Sequence, residues 1–453
     1  MTATKTPNRK LAAALAEAGY TYEALAKQVR AVAAEVGDKL GTSRGAVHSW
    51  VTASAIPAGR TPAYVAEALS RRLRRPVTVG ELGLGSDHTG DAMALDPLAA
   101  ASDFGRLIVN DRRRFLSLAF STFAVTFPLT YDQHTAAATL RAAAGSRRIS
   151  IEEIATVRQF TEMFRTTDER LGGGHGLVAI AAFLNDVATP MLQCTFPNEH
   201  VRASAFGATA ELATLVGWKC HDHGREGASQ KFYNLAYQLA CESDSVGHGA
   251  WAMRALTHQA LDLKQPAGTV DLAEAALARA RGRVDRQTEA LLLITAARAH
   301  GASGSGAVAA ALILSAENAM LASNDPIPAY AAASGPVAAT VASHTGRTLT
   351  EMADHEAAER HYRTALAKRA PGTYHRLRGL TLANIAKSVA AQLRHEEAVS
   401  LWSQSVDLMD GVASQRNLKE LETMRSALAI YERRGIPGAA NLAQRAALIT
   451  TAA

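Results

Sequence analysis

A spacing of 40 residues recurs along the second half of the chain and does most to limit its fold. Ala358 and Ala398 are 40 residues apart, and three earlier segments keep the same interval, at Tyr233, Ala273 and Ile313. Strand signals are scarce, and apolar residues follow helical i, i+3, i+4 spacing. Repeats of this kind stack helix pairs, because one pair cannot bury its apolar face alone. We predict an all-α protein with helix pairs opening a solenoid over 104–203 and about five repeats within 204–453.

Composition limits the class of protein. The 453 residues suffice for two or three domains or one extended array, and 48% hydrophobic content supports a buried core. Three cysteines are too few, and odd in number, for a disulfide framework. We therefore expect reduced thiols and a cytoplasmic protein. We find no apolar run of 18 residues and no signal peptide, so no membrane span is expected.

The positive charge is confined to the N-terminal fifth. Residues 1–85 carry 12 lysines and arginines against six acids, whereas the remainder carries 36 of each. A basic module on a neutral body indicates a polyanion partner, although a solubilising end remains the alternative. Residues 86–103 are rich in small and polar residues and low in periodicity, so we interpret them as a linker.

Five helices are predicted within residues 1–85, at about 7–18, 21–36, 43–52, 62–73 and 78–83. The third lies in "LGTSRGAVHSW", with Thr42 or Ser43 as its N-cap. Its inward side carries Leu40, Val47 and Trp50. The residues predicted to read bases are Ser43, Arg44, Gly45, His48 and Ser49. The guanidinium of Arg44 can donate two hydrogen bonds to O6 and N7 of a guanine in the major groove of DNA. Gly45 has no side chain, which lets the helix approach that groove closely.

This stretch and the following "SAIPAGRTPAYVAEALSRRL" resemble the Cro/repressor (XRE-type) helix-turn-helix. The resemblance implies that the third helix enters the major groove of double-stranded DNA. It also implies phosphate contacts near Thr21, Lys39, Thr42 and Arg60. The second helix with its connection is about eight residues longer than in compact members of that family.

A cluster of arginines follows in "SRRLRRP". Cations at the C-terminus of a helix interact favourably with its dipole. Four arginines within six residues are more than this interaction requires. We therefore assign phosphate contacts to Arg71, Arg72, Arg74 and Arg75.

The repeats resemble the tetratricopeptide pattern, with Gly217, Gly224, Tyr233 and Ala236 at matching intervals. In such arrays the first helix of each repeat lines a concave groove. The residues that this register assigns to the groove are Trp218, His221, Trp251, Arg254, His258, Arg298, His344, Arg347, Asn384 and Lys387. This basic, partly aromatic lining suits a peptide or small acidic effector. A solvated helical face is the alternative.

Fused in one chain, the two parts resemble the actinobacterial helix-turn-helix–tetratricopeptide regulators and the Rap/NprR/PlcR/PrgX-like class. The resemblance implies a homodimeric transcriptional regulator tuned by a ligand. The alternative is a protein-scaffolding module with weak or no specific DNA binding. "LGGGHG" (171–176) is interpreted as an inter-helix turn whose His175 could contact a ligand, and "CHDHG" (220–224) as a helix end. No spacing indicates a catalytic set, a metal site or a cofactor.

Overall fold

A computed structural model describes residues 7–35, 38–73, 75, 77–85, 97–98, 100, 120, 125, 127–130, 147–243, 245–265, 268–321, 326–332 and 335–452. Every regular element in these ranges is helical, apart from an isolated bridge between Arg148 and Thr195. The predicted all-α class is therefore confirmed. Most of the predicted linker, most of 104–146 and Arg74 lie outside the described residues.

The N-terminal region contains α1 (Arg9–Ala18), α2 (Tyr22–Glu35), α3 (Arg44–Thr52) and α4 (Thr61–Leu73). They share a core of their own that includes Leu11, Leu25, Trp50, Tyr64 and Leu69. The fifth predicted helix is wrong, because residues 79–83 form hydrogen-bonded turns. Gly80 and Gly83 disfavour a helix there, and Gly83 has a positive φ of 62°.

Side-chain caps define the start of α2 and of α3. The Thr21 hydroxyl accepts the N–H of Ala24 at 3.1 Å, and the Ser43 hydroxyl accepts the N–H of Ala46 at 3.2 Å. Ser43 rather than Thr42 is thus the cap of α3. Residues 38–43 before α3 are non-helical, and these six residues already exceed the three to four common in helix-turn-helix motifs.

The body is a solenoid-like stack of helices. Its elements are α5 (Ile151–Leu171), α6 (Leu177–Phe183), α7 (Glu199–Asp222), α8 (Glu226–Glu242), α9 (Val246–Asp262), α10 (Thr269–Ala280), α11 (Arg286–Ala302), α12 (Gly306–Leu321), α13 (Val337–Glu351), α14 (His355–Ala367), α15 (His375–Ala391), α16 (His395–Met409), α17 (Gln415–Arg433) and α18 (Ala439–Ala452). Short helical segments occur at Phe127–Thr130, Thr189–Met191 and Ala329–Ala332, and Leu184–Ala188 is a π-helix.

The helices from α7 to α18 pack as consecutive pairs, α7 with α8 through α17 with α18. Residues 199–452 thus form six pairs rather than the predicted five. Their first helices begin at 199, 246, 286, 337, 375 and 415, so the 40-residue interval is only approximate. Each pair buries its apolar face against its neighbour, and Leu349 packs against both large cores of the body.

Small residues let the two helices of a pair approach closely. A Cβ added at Gly217 would lie 2.7 Å from the Tyr233 ring, and one at Gly346 would lie 2.8 Å from the Tyr362 ring. The Gly217–Tyr233 spacing singled out in the sequence is therefore a packing contact between α7 and α8. Such contacts fix how tightly each hairpin closes.

Helix α5 lies outside the pairing pattern and contacts both α7 and α15. The glycine turn that follows it rests on the connection between α16 and α17. There the Ala413 N–H donates to the Leu171 carbonyl at 2.8 Å, and the Gly174 N–H donates to the Ala413 carbonyl at 3.0 Å. A Cβ at Gly172 would lie 2.6 Å from the Ala413 carbonyl oxygen, so only glycine fits. The turn therefore anchors α5 across the stack.

Candidate functional site

Helix α3 presents one polar face and buries the other. Val47, Trp50 and Val51 are buried against the N-terminal core. Of the predicted base-reading residues, Ser43, Arg44, Gly45 and His48 are exposed, and Ser49 is half-buried. The His48 ring lies edge-on to Tyr22 of α2, with ring centroids 5.8 Å apart. The predicted inward and outward sides of this helix are thus correct.

The predicted phosphate contacts divide into exposed residues and residues with internal partners. Thr21 and Lys39 are exposed, whereas Thr42 is buried and its carbonyl accepts a bond from Arg30. Arg60 is half-buried and pairs with Asp38 at 3.1 Å. Of the two cations among these four residues, Lys39 is exposed and Arg60 is half-buried in an ion pair.

The arginine cluster at the end of α4 makes contacts within its own region. Arg71 pairs with Glu67 at 2.8 Å, and Arg72 donates to the Ala18 carbonyl at 3.0 Å. Arg75 pairs with two acids, the nearer at 2.8 Å. Arg72 and Arg75 therefore link the end of α4 to α1 and to the C-terminal turns, whereas Arg71 pairs within α4 itself.

In the body, a cavity of about 410 Å³ lies between α5 and the first helices of the pairs. Eight of the ten predicted groove residues line it, namely Trp218, His221, Trp251, Arg254, His258, Arg298, His344 and Arg347. Asn384 and Lys387 do not, and Lys387 pairs instead with Glu420 at 2.5 Å. His175 is exposed and lies outside the cavity lining.

The Asp262 carboxylate is the centre of the cavity's charge network. Its oxygens lie 3.1 Å from guanidinium nitrogens of Arg298, Arg347 and Arg416. Burial opposes its charge, but Arg416, Arg347 and the other partners hold the pKa of Asp262 well below its ordinary value. One ionised carboxylate on α9 thus pairs with side chains from α11, α13 and α17.

His221 at the end of α7 joins the same network. Its Nδ1 lies 2.8 Å from Glu226 and its Nε2 3.4 Å from Asp262. Burial favours the neutral imidazole, yet these two carboxylates outweigh it and raise the pKa of His221 to about 9. His221 is therefore a buried cation at neutral pH.

His258 and His344 stack with ring centroids 4.5 Å apart and remain neutral. Burial and the neighbouring arginines hold the pKa of both well below the usual range. Arg298 donates to His258 Nδ1 at 2.7 Å, which assigns the ring proton to Nε2, 3.1 Å from the Thr295 hydroxyl. This network orients the His258 ring.

A second charged cluster joins α5, α7 and α15 at the cavity wall. The buried Arg376 bonds Asp168 at 2.8 Å and Asp222 at 3.0 Å, and Lys219 lies 3.4 Å from Asp168. The Gly173 N–H also donates to Asp222 at 2.8 Å. The glycine turn is thus an inter-helix turn, as predicted, and "CHDHG" is a helix end whose Asp222 is structural.

Sequence reasoning missed several functional candidates. Arg416 lies on α17, beyond Lys387, which was the last register position assigned to the groove. Arg376 lies eleven residues before that position on α15. Asp262 follows His258 by one helical turn, a spacing that could have identified it as facing the same side. The α5 contributions carry no repeat signal at all.

Comparison with known proteins gives one match. Residues 11–85 match the family model described as SP15 N-terminal domain. No curated protein and no solved structure matches the chain. Among the described residues, no helix is both long and apolar enough to cross a membrane, and no group of three or more His, Cys, Asp or Glu could hold a metal ion.

Proposed function

We propose that this chain is a cytoplasmic, sequence-specific DNA-binding transcriptional regulator whose helical body senses a peptide or small molecule. The observation that carries the proposal is the exposed face of α3. Arg44, Gly45 and His48 stand free of the core over a buried Trp50, and Ser43 caps the helix start. A helix of this form can enter the major groove, with Arg44 reading guanine.

Two further features support the proposal. All the net positive charge of the chain lies in residues 1–85, which suits a polyanionic partner. The body carries a separate cavity lined by buried charges and aromatic side chains, which suits an effector. We expect a homodimer, because single reading helices gain enough contacts by binding two half-sites.

Binding to DNA fragments from upstream of the chain's own gene tests the proposal, at two salt concentrations and against random DNA. Binding to one fragment should persist at the higher salt concentration. Equal binding to all fragments, lost as salt rises, would leave only non-specific attraction.

A protein-scaffolding module is the second candidate function. The internal partners of Arg60, Arg71, Arg72 and Arg75 favour it, because these cations already serve the packing of the N-terminal region. Co-purification of a partner protein, together with purely non-specific DNA binding, would support this candidate over the regulator.

A further inference from the structure

The charges that line the cavity do not balance. Eight arginines stand against five carboxylates; the arginines are Arg158, Arg165, Arg254, Arg298, Arg347, Arg369, Arg376 and Arg416, and the acids are Glu162, Asp168, Glu169, Glu211 and Asp262. Three of these arginines share the single carboxylate of Asp262. Buried charges are normally paired, because their desolvation is costly. His221 and the partners behind the lining add two cations, His221 and Lys219, and two carboxylates, Asp222 and Glu226, so three cations remain in excess. This excess suits an anion from outside the chain.

Arg254 is the cation that most lacks a partner. It is 7% exposed, and its guanidinium makes one hydrogen bond to the part of the chain that the structure describes, from Nε to the Leu291 carbonyl at 3.3 Å. Its guanidinium lies over the Trp251 ring, 4.4 Å from the centroid. Among the described residues no carboxylate pairs with it. Burial and Arg298 lower the pKa of Arg254 to about 9, so it stays charged at neutral pH.

Other polar atoms beside Arg254 are also unsatisfied. Arg298 Nε and His344 Nδ1 are buried without a hydrogen-bond partner. Such atoms are rare in folded proteins, since each costs on the order of 1–3 kcal/mol. Arg254, Arg298 and His344 all line the cavity. Arg254 and Arg298 offer N–H donors, and His344 Nδ1 can donate in one of its two tautomers, so the group suits an oxyanion.

The adjacent wall of the cavity is aromatic. His248 and Tyr330 stack with centroids 4.9 Å apart and planes 13° apart, and Trp251 lies 6.3 Å from Tyr330. Burial and Arg158 lower the pKa of His248 to about 3, which keeps that ring uncharged. Flat neutral rings beside a cationic group favour a ligand with a planar apolar part.

We propose that the cavity binds a compact organic anion, with a carboxylate or phosphate on a planar apolar body, and that Arg254 is its main counter-charge. A volume of about 410 Å³, with α5 as one wall, suits a small molecule rather than a peptide extended along the stack. This inference deepens the sensing half of the proposed function and rests on it for a regulatory meaning.

Calorimetric titration of the full chain tests the proposal with three probes of one shape: 1-naphthoate, 1-naphthyl phosphate and the neutral 1-naphthamide. At least one anion should bind saturably below roughly 10 mM, and the amide should bind about tenfold to 100-fold more weakly. The preferred anion distinguishes a carboxylate from a phosphate source. Binding of the amide alone, equal binding of amide and anion, or binding of none would overturn the proposal.

Arg254→Gln supplies the residue-level test and should weaken anion binding about tenfold to 100-fold. Arg445→Gln is the matched control, because Arg445 pairs with Asp407 outside the cavity. Unchanged anion affinity in Arg254→Gln would show that another residue supplies the counter-charge and would overturn the role of Arg254. The comparison with the amide uses the native chain and does not depend on any variant.

Operator binding without ligand is measured separately. Specific DNA binding without anion binding rejects this inference alone, and anion binding without specific DNA binding rejects the proposed function alone.

Discussion

Arg376 bonds Asp168, a residue 208 positions earlier in the chain, at 2.8 Å. Both side chains are buried, and the same guanidinium bonds Asp222 at 3.0 Å. The contact ties α5 to α7 and to α15, far along the solenoid. Local repeats alone could not hold α5 there, because neighbouring helix pairs contact only one another. The charged cluster therefore fixes α5 as a wall of the cavity.

Replacing Arg376 with methionine should destabilise the chain by about 3–5 kcal/mol, since the buried carboxylates of Asp168 and Asp222 lose the cation that they share. Urea unfolding measures the change, and hydrogen exchange should show α5 opening more readily than α11. Arg445→Met, which breaks an exposed pair with Asp407, should cost less than about 1 kcal/mol. Equal stability of the two variants would show that the Arg376 cluster does not hold α5.

The stability of the chain should fall as pH rises towards 9, through His221. Glu226, Asp262, Arg416 and Trp218 face its ring, and the two carboxylates raise its pKa to about 9. Because the pKa is raised in the folded state, protonated His221 contributes its full stabilisation below the unfolded-state pKa of about 6.5. This stabilisation is lost as the pH rises through the folded-state pKa. The linked free energy is about 3 kcal/mol.

The measurement compares unfolding free energies of the native chain and His221→Gln between pH 6 and 10. The native chain should lose on the order of 3 kcal/mol more than the variant over that range. Other groups titrate in both proteins, so the difference isolates His221. Parallel curves would mean that His221 is not charged in the folded state.

The sequence register located much of the cavity because first helices repeat at near-constant spacing. Trp218, His258 and Arg298 are 40 residues apart, and all three line the cavity. The same register fails at Lys387, which Glu420 engages outside the lining. Repeat periodicity predicts the helix face on which a residue lies, but it does not predict which neighbouring residue forms a salt bridge with it.

The charged partners could not be predicted, since they depend on contacts between distant segments. Asp168 belongs to a helix without a repeat pattern, and its partner Arg376 lies 208 residues away. In the N-terminal region, local pattern correctly separated Val47 and Trp50 from the exposed side of α3. It did not reveal that Arg72 reaches the Ala18 carbonyl, because that contact joins α4 to the end of α1.

Two glycines of α7 should respond oppositely to alanine. At Gly217 the new Cβ would lie 2.7 Å from the Tyr233 ring, so Gly217→Ala should cost about 1–3 kcal/mol. At Gly207 the nearest atom would be 3.6 Å away, so Gly207→Ala should stabilise by up to about 1 kcal/mol through helix propensity. Urea unfolding of both variants measures the difference. Equal effects would contradict close packing of α7 on α8.

Arg44→Ala should weaken binding to a specific operator by about 1–3 kcal/mol and relax the preference at one base pair, because its fork would be lost from guanine. Arg9→Ala is the control, because Arg9 is also exposed and its substitution removes the same charge, but from α1. Titrations on operator and random DNA at two salt concentrations separate the two contributions. Arg9→Ala should lower both affinities slightly and equally through the loss of charge. An equal loss on operator and random DNA in Arg44→Ala would show that Arg44 contacts phosphate and reads no base.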